Sequence, residues 1–171
     1  MVSGFGAISM KVRHVLYIVA YAVFCVAISM FICFQCSAQE SWLDRCEQYR
    51  EQVESALVDN GLSTDYYYLM VAESRCTINA ESNAGARGFW QLMPRTSRKY
   101  GCSHPHDLSC ATRAAIAYIK RLESEFKTFR DVIYAYNMGG HNYRRAKKPS
   151  GEAVDLFMKV QRLKVLNKDK E

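Results

Sequence analysis

Proline and glycine are scarce, at three and nine among 171 residues. That scarcity excludes collagen-like and linker-dominated architectures. No segment repeats at a period of about 20–50 residues, which excludes a solenoid. Acidic residues are missing from residues 1–38, although the chain carries 17 Asp+Glu. No nucleic-acid recognition motif occurs, and nucleic acid is not expected as a partner. What is present fits a folded domain: 49% hydrophobic, 23% charged and 12% aromatic residues, with a formal net charge of +6. Such a composition excludes a disordered tail protein. The length suits one compact domain with a short appendage.

The acid-free stretch explains the appendage. Its formal charges are Lys11 and Arg13, with His14 beside them, and an apolar run follows from Val15 to Phe34. After it comes QCSAQE. A basic start, an apolar middle and small residues at the end form the pattern of an export leader. Cys36 and Ala38 offer the small side chains a signal peptidase requires, which predicts a cut before Gln39. The competing reading is a retained membrane anchor. About 20 apolar residues suffice to cross a bilayer, whereas a signal core typically has about 7–15. None of Cys25, Cys33 and Cys36 has the small-residue context of a lipidated cysteine. The expected organisation is a signal peptide or N-terminal membrane anchor over residues 1–38 and an exported domain over 39–171. That domain would reside in the periplasm or cell envelope, touching membrane only through the N-terminal segment.

Export changes how the cysteines read. Cys46, Cys76, Cys102 and Cys110 lie beyond the leader, and an even number in an exported domain favours disulfides. Four cysteines permit three pairings, and sequence alone does not choose among them. The expected set is Cys102–Cys110, closing a small loop, and Cys46–Cys76, tying the first helix to the next. A zinc alternative exists, since Cys102, His104, His106 and Cys110 form a C-x-H-x-H-x3-C cluster. Its spacing matches no common zinc module, so no metal is expected. Without Lys11 and Arg13, 21 Lys+Arg face 17 Asp+Glu. That mild positive balance would not repel an anionic polymer.

The remaining pattern is helical. Ser41 can cap a helix in which Trp42, Cys46, Tyr49, Val53 and Ala56 form an apolar stripe, and Asn60-Gly61 stops it. Ser63-Thr64-Asp65 offers caps for a second helix, YYYLMVAES, apolar nearly all round and so expected at the centre of the core. Residues 79–93 lack a helical period and carry two glycines, which predicts a shaped loop with a short strand pair. A short helix should run from Pro94 to Lys99. A long one should follow, capped by Ser109, with Ala115, Ile116, Ile119, Leu122 and Phe126 inward. Another should run from about Phe129 to Asn137 and stop at Gly139-Gly140. Ser150 should begin the last, with Ala153, Leu156, Phe157, Val160 and Leu163 on one face. The terminal NKDKE should fray.

Glu73 ends the apolar second helix. Burying a carboxyl without a partner raises its pKa, because the charged form loses hydration. A glutamic acid still protonated near neutral pH is what a general acid for glycosidic cleavage needs. Taken alone, an ion-paired or solvated helix end is the commoner explanation. The glycines Gly85 and Gly88 permit the backbone angles the loop needs, or close approach of a ligand.

The run Glu73–Gly101, followed by Ala135–Gly140, resembles the lytic transglycosylase family. These are bacterial enzymes with a mostly α, lysozyme-like (goose-type) domain that cleave peptidoglycan. Three marks appear in the family's order. They are Glu73-Ser74, then Gly85-Ala86-Arg87-Gly88-Phe89-Trp90-Gln91-Leu92-Met93-Pro94, then Ala135-Tyr136-Asn137. Trp90, with TSRKYG behind the proline, looks most like the membrane-bound D-type branch. The resemblance covers most of residues 63–145 and implies a mostly α domain with a small loop or hairpin region at the active site. It gives Glu73 the catalytic acid/base role. It places Ser82 against the reacting sugar's N-acetyl group, and puts Gln91, Met93, Tyr136 and Asn137 along the sugar cleft. Two positions depart from the family. Cys76 stands where an aromatic is usual, and Met138 where a small residue is usual.

The resemblance also implies a mechanism. Ordinary glycosidases use two carboxylates; this family needs one and no cofactor. The substrate would be glycan strands of peptidoglycan, cut between N-acetylmuramic acid and N-acetylglucosamine to leave a 1,6-anhydromuramoyl end. Two alternatives compete. Glu81, pointing into the cleft, would supply a second carboxylate and make the protein a lysozyme-type hydrolase. A catalytically idle wall-binding scaffold of a trans-envelope machine is the other. A dedicated hole-cutter for a secretion or conjugation apparatus fits the domain, with Arg144, Arg145, Lys147 and Lys148 facing a partner or acidic peptide stems. Such basic runs are more often just a solvated face.

Overall fold

A helix with neither proline nor glycine to interrupt it opens the structure: α1 runs Met10–Glu47. The computed structural model describes residues 10–168, with side chains at 14, 16–31 and 42–167. Two units separate by their contacts, Met1–Ser41 and Trp42–Glu171. In the first, apolar side chains such as Leu16, Ile18, Val23, Phe24 and Phe31 are exposed. Among the described residues no helix is long and apolar enough to cross a membrane. Lys11, Arg13, the end of the apolar run and the cut before Gln39 fall on side chains outside the described ones.

The second unit begins with a departure from the expected single helix over residues 41–59. Ser41 lies inside α1 rather than capping it, and the helix breaks at Gln48-Tyr49 before α2, Arg50–Asp59. The break has a physical cause in Cys46. Its carbonyl accepts from the Tyr67 hydroxyl at 3.0 Å and from the Tyr49 N–H at 3.0 Å, so the next helical bond is not made. Its side chain is bonded to Cys76. Asn60-Gly61 ends α2, with Gly61 at φ +74°. Then α3, Tyr66–Ser74, forms the buried centre: Tyr66, Tyr67, Leu69, Met70 and Val71 are all in the core. Ser63 orders the preceding turn by accepting from the Asp65 N–H at 3.1 Å.

Short α4, Pro94–Lys99, starts on its proline as expected. For α5, Leu108–Glu125, the cap is Asp107 and not Ser109. Asp107 Oδ1 accepts from the Cys110 N–H at 2.6 Å, whereas the Ser109 hydroxyl accepts from Gln52 at 3.1 Å. Next, α6, Phe129–Met138, is capped by Thr128. Gly139, at φ +79°, then ends α6 without ending helix: α7, Gly140–Ala146, follows directly. That element buries no residue, so it has no apolar stripe for sequence to reveal. Last, α8, Gly151–Lys168, starts after Ser150 and buries Ala153, Leu156, Val160 and Leu163. The fraying expected of the terminus concerns residues 169–171, outside the described ones.

Around α3 pack α2 and α8, while α6 packs on α5, α7 and α8. Between α3 and α4 the loop 76–93 forms isolated antiparallel bridges, Glu81 with Arg87 and Arg87 with Leu92. The result is the mostly α architecture with a hairpin-like loop that the sequence suggests. The disulfides are Cys46–Cys76 and Cys102–Cys110, each with Cα atoms 5.3 Å apart. The second bond consumes both thiols of the zinc-like cluster, and His106 Nδ1 lies 2.9 Å from the Ile78 carbonyl.

Candidate active site

Loop 76–93 is shaped by backbone that few residues adopt. Arg75 and Cys76 leave α3 with consecutive left-handed conformations, φ +48° and +56°, and Cys46–Cys76 holds that corner. Ser82 closes a tight turn: its N–H donates to the Ala86 carbonyl at 2.9 Å, and its hydroxyl accepts from the Ala86 N–H at 3.0 Å. Gly88, φ +72°, lies against Pro105, where an added Cβ would overlap the Pro105 carbonyl. The close approach at this glycine is therefore to the protein's own Cys102–Cys110 loop rather than to a ligand. Phe89 and Trp90 anchor the far side in the core, and Trp90 Nε1 donates to Thr112 at 3.0 Å.

Glu73 stands where two cavities of about 410 Å³ each meet; both are also lined by Ser82 and Gln91. One cavity continues past Ala86, Met93, Tyr118, Tyr136 and Asn137 to Glu152. The other continues past Arg75, Thr77 and Glu81 to Lys159. The structure thus brings together Glu73, Ser82, Gln91, Met93, Tyr136 and Asn137. Gln91 is held at φ +45°, and its Nε2 donates to the Ala80 carbonyl at 3.1 Å and the Gly88 carbonyl at 2.9 Å. Tyr136 is buried and its hydroxyl donates to the Trp90 carbonyl at 2.7 Å. Rings of Tyr100, Tyr118 and Tyr136 follow one another at centroid spacings of 5.4 and 5.3 Å. Met93 is exposed at the rim, 44% accessible.

Burial pushes the Glu73 carboxyl up to about 8; Lys159 opposes the shift and Glu152 adds to it. Among the described residues no side chain hydrogen-bonds to this carboxyl, so loss of hydration acts with little relief. Burial, together with the nearby Glu73 charge, also holds Tyr136 well above the usual phenol range. Glu81 is diverted: its carboxylate pairs with Arg87 at 3.0 Å, both half exposed. An exposed pair of this kind contributes little stability, but it occupies Glu81's charge.

Sequence reasoning missed Glu152 and Lys159. Seven residues apart on α8, they share a face. Each precedes a buried position, Ala153 or Val160, so both lie at the edge of the apolar stripe. That edge position was the available signal.

Residues 53–155 match the Transglycosylase SLT domain family. The chain belongs to that family. The SLT domain's curated relatives include membrane-bound lytic murein transglycosylase D of Escherichia coli K12 and its counterpart in E. coli O6:H1 strain CFT073. Each is 27% identical over 123 residues, covering 66% of this chain and 27% of the relative. The chain therefore spans about a quarter of the length of these relatives. A solved structure, an inactive mutant of lytic transglycosylase Slt from Pseudomonas aeruginosa, aligns with 26% identity and a TM-score of 0.49. That alignment covers 66% of this chain and 20% of the other.

Proposed function

We propose that this SLT domain is a peptidoglycan lytic transglycosylase that cuts the bond between N-acetylmuramic acid and N-acetylglucosamine without consuming water. The observation that carries the reading is Glu73: a carboxyl with a pKa of about 8 at the junction of two halves of one cleft. Its membership of the SLT family and its murein-acting relatives support the same substrate.

The steps balance on one carboxyl. Protonated Glu73 gives its proton to the bridging oxygen, and the bond from that oxygen to the muramoyl anomeric carbon breaks. The substrate's own acetamido oxygen bonds to that carbon and carries the developing charge. Glu73, now ionised, removes the proton of the muramoyl C6 hydroxyl. The C6 oxygen then displaces the acetamido oxygen, closing a 1,6-anhydro ring and regenerating the acid. Tyr136, bound to the Trp90 carbonyl, and Ser82, bound within its turn, fix the walls beside the reacting sugar. General acid–base help of this kind typically contributes about 10²–10⁴-fold.

A second reading is favoured by Glu152, which lines the same cavity as Glu73. As a base it would activate water and make the protein a hydrolase. Digestion of intact sacculi followed by mass spectrometry decides. Anhydro-ended products, one water lighter than hydrolysed ones, support the transglycosylase; hydrolysed ends that vanish with Glu152→Gln support the alternative. Wall binding without cleavage by the wild type would leave only a scaffold.

Export to the envelope through the leader-like N-terminal segment belongs to this proposal, as does service to a secretion or conjugation machine. A strain complemented with Glu73→Gln tests the latter by its transfer or secretion efficiency.

A further inference from the structure

On one side of Glu73 the cleft is lined by Ala72, Ser74, Thr77, Ala80 and four charged groups: Glu73 itself, Arg75, Glu81 and Lys159. Two of the charges are committed elsewhere. Glu81 pairs with Arg87, and the Arg75 guanidinium lies 5.7 Å over the Trp42 ring. Glu73 is neutral when protonated. Lys159 forms no ion pair or side-chain hydrogen bond among the described residues, and it is exposed. No carboxylate pairs with Arg75 or Lys159, so this half carries net positive charge, and Lys159, unlike Arg75 on the Trp42 ring, holds its ammonium with no ring or ion-pair partner among the described residues. Glu152 lies roughly 10 Å back along the same helix, at 1.5 Å per residue, and lines the other half. The cleft is electrically lopsided about its acid.

We propose that Lys159 is a specificity-determining residue that receives a carboxylate carried by the muramoyl sugar's substituent. The inference rests on the function proposed above. N-acetylglucosamine is neutral, so a cation in the cleft gains nothing from it. The muramoyl lactyl group ends in a free carboxylate on peptide-stripped strands, and in a peptide stem with its own carboxylates on intact ones. Either presents the chemistry an ammonium binds, with a charge-assisted hydrogen bond as the contact. Lysine suits the task because its compact charge on a flexible stem follows a mobile substituent.

The test measures Kd of the full chain carrying Glu73→Gln for four ligands. These are chitotetraose, a peptide-free GlcNAc–MurNAc tetrasaccharide with free lactyl carboxylates, its lactyl amide, and the same sugar bearing L-Ala-D-Glu. Lys159→Met should weaken an acidic ligand by about tenfold, the scale of one charged contact. Chitotetraose and the lactyl amide should change less than twofold. Lys159→Arg should restore most of the loss, and Lys159→Glu should invert the preference towards the amide. Loss confined to the free-lactyl sugar names the lactyl carboxylate as the bound group; loss confined to the dipeptide form names the stem. Equal loss on neutral and acidic ligands, or none on either, overturns the inference. Wild-type digestion of sacculi separates the two levels. If it cuts wall while Lys159→Met leaves all four Kd values as they are in the Glu73→Gln parent, the specificity role alone fails. If it cuts nothing and Glu73→Gln binds no glycan, the function itself fails.

Discussion

Tyr136, in the last turn of α6, donates its hydroxyl proton to the main-chain carbonyl of Trp90 at 2.7 Å. The bond ties a core helix to the cleft-forming loop across 46 positions of sequence. Tyr136→Phe keeps the ring packing but leaves a buried carbonyl without its donor, at a cost of about 1–2 kcal/mol. Urea denaturation should show that loss, and sacculus digestion should slow by more than the stability change accounts for.

Glu73→Gln should abolish cleavage while strengthening the fold. With the native pKa raised to about 8, the folded chain holds a proton that the unfolded chain releases near 4.5. Stability therefore falls as pH rises between those two values and is unaffected by this group below them. The amide cannot ionise, so at pH 7 the variant should gain about 3 kcal/mol. At pH 4 the difference should vanish. Denaturation at both pH values checks the sign.

The basic limb of kcat/KM should lie near pH 8, where Glu73 loses its proton. Lys159→Met removes the cation that favours ionisation, so the limb should move to higher pH. Glu152→Gln removes an acid that opposes it, and should move the limb lower. Tyr136 stays neutral throughout and contributes no limb of its own. Unchanged profiles in both variants would refute the electrostatic account.

Gly88→Ala and Gly85→Ala should differ in severity. Both glycines have positive φ, but a Cβ at 85 meets nothing whereas one at 88 meets the Pro105 backbone. The first should cost about 1 kcal/mol. The second should cost several-fold more, because neither backbone segment can yield cheaply. Thermal denaturation of the two variants provides the comparison.

Removing Cys46–Cys76 should cost more than removing Cys102–Cys110. The loops close over separations of 30 and 8 residues, which the chain-entropy relation converts to about 3–4 and 2–3 kcal/mol. Melting of the two double-alanine variants measures the order.

Much of this was legible in the residues. The all-round apolar character of Tyr66–Ser74 placed α3 in the core, and Pro94 marked the start of α4. Ordered motifs assembled the cleft set around Glu73. The misses come from contacts that the local pattern does not rank. Tyr67 reaches back to the Cys46 carbonyl and splits one expected helix into α1 and α2. Asp107 outcompetes Ser109 for the α5 cap because its carboxylate reaches the Cys110 N–H. Glu152 and Lys159 carry no local mark beyond their place at the edge of the α8 stripe; the packing of α8 beside α3 brings them to the acid.

Gln91 meets the cleft with an acceptor alone. Both protons of its terminal amide are taken by the Ala80 and Gly88 carbonyls, leaving only the amide oxygen to meet an incoming ligand. At that spot the protein can receive a hydrogen but cannot offer one. A sugar lying there must turn a hydroxyl or an acetamido N–H towards it, and a strand seated the other way round would meet its carbonyl oxygens with another oxygen.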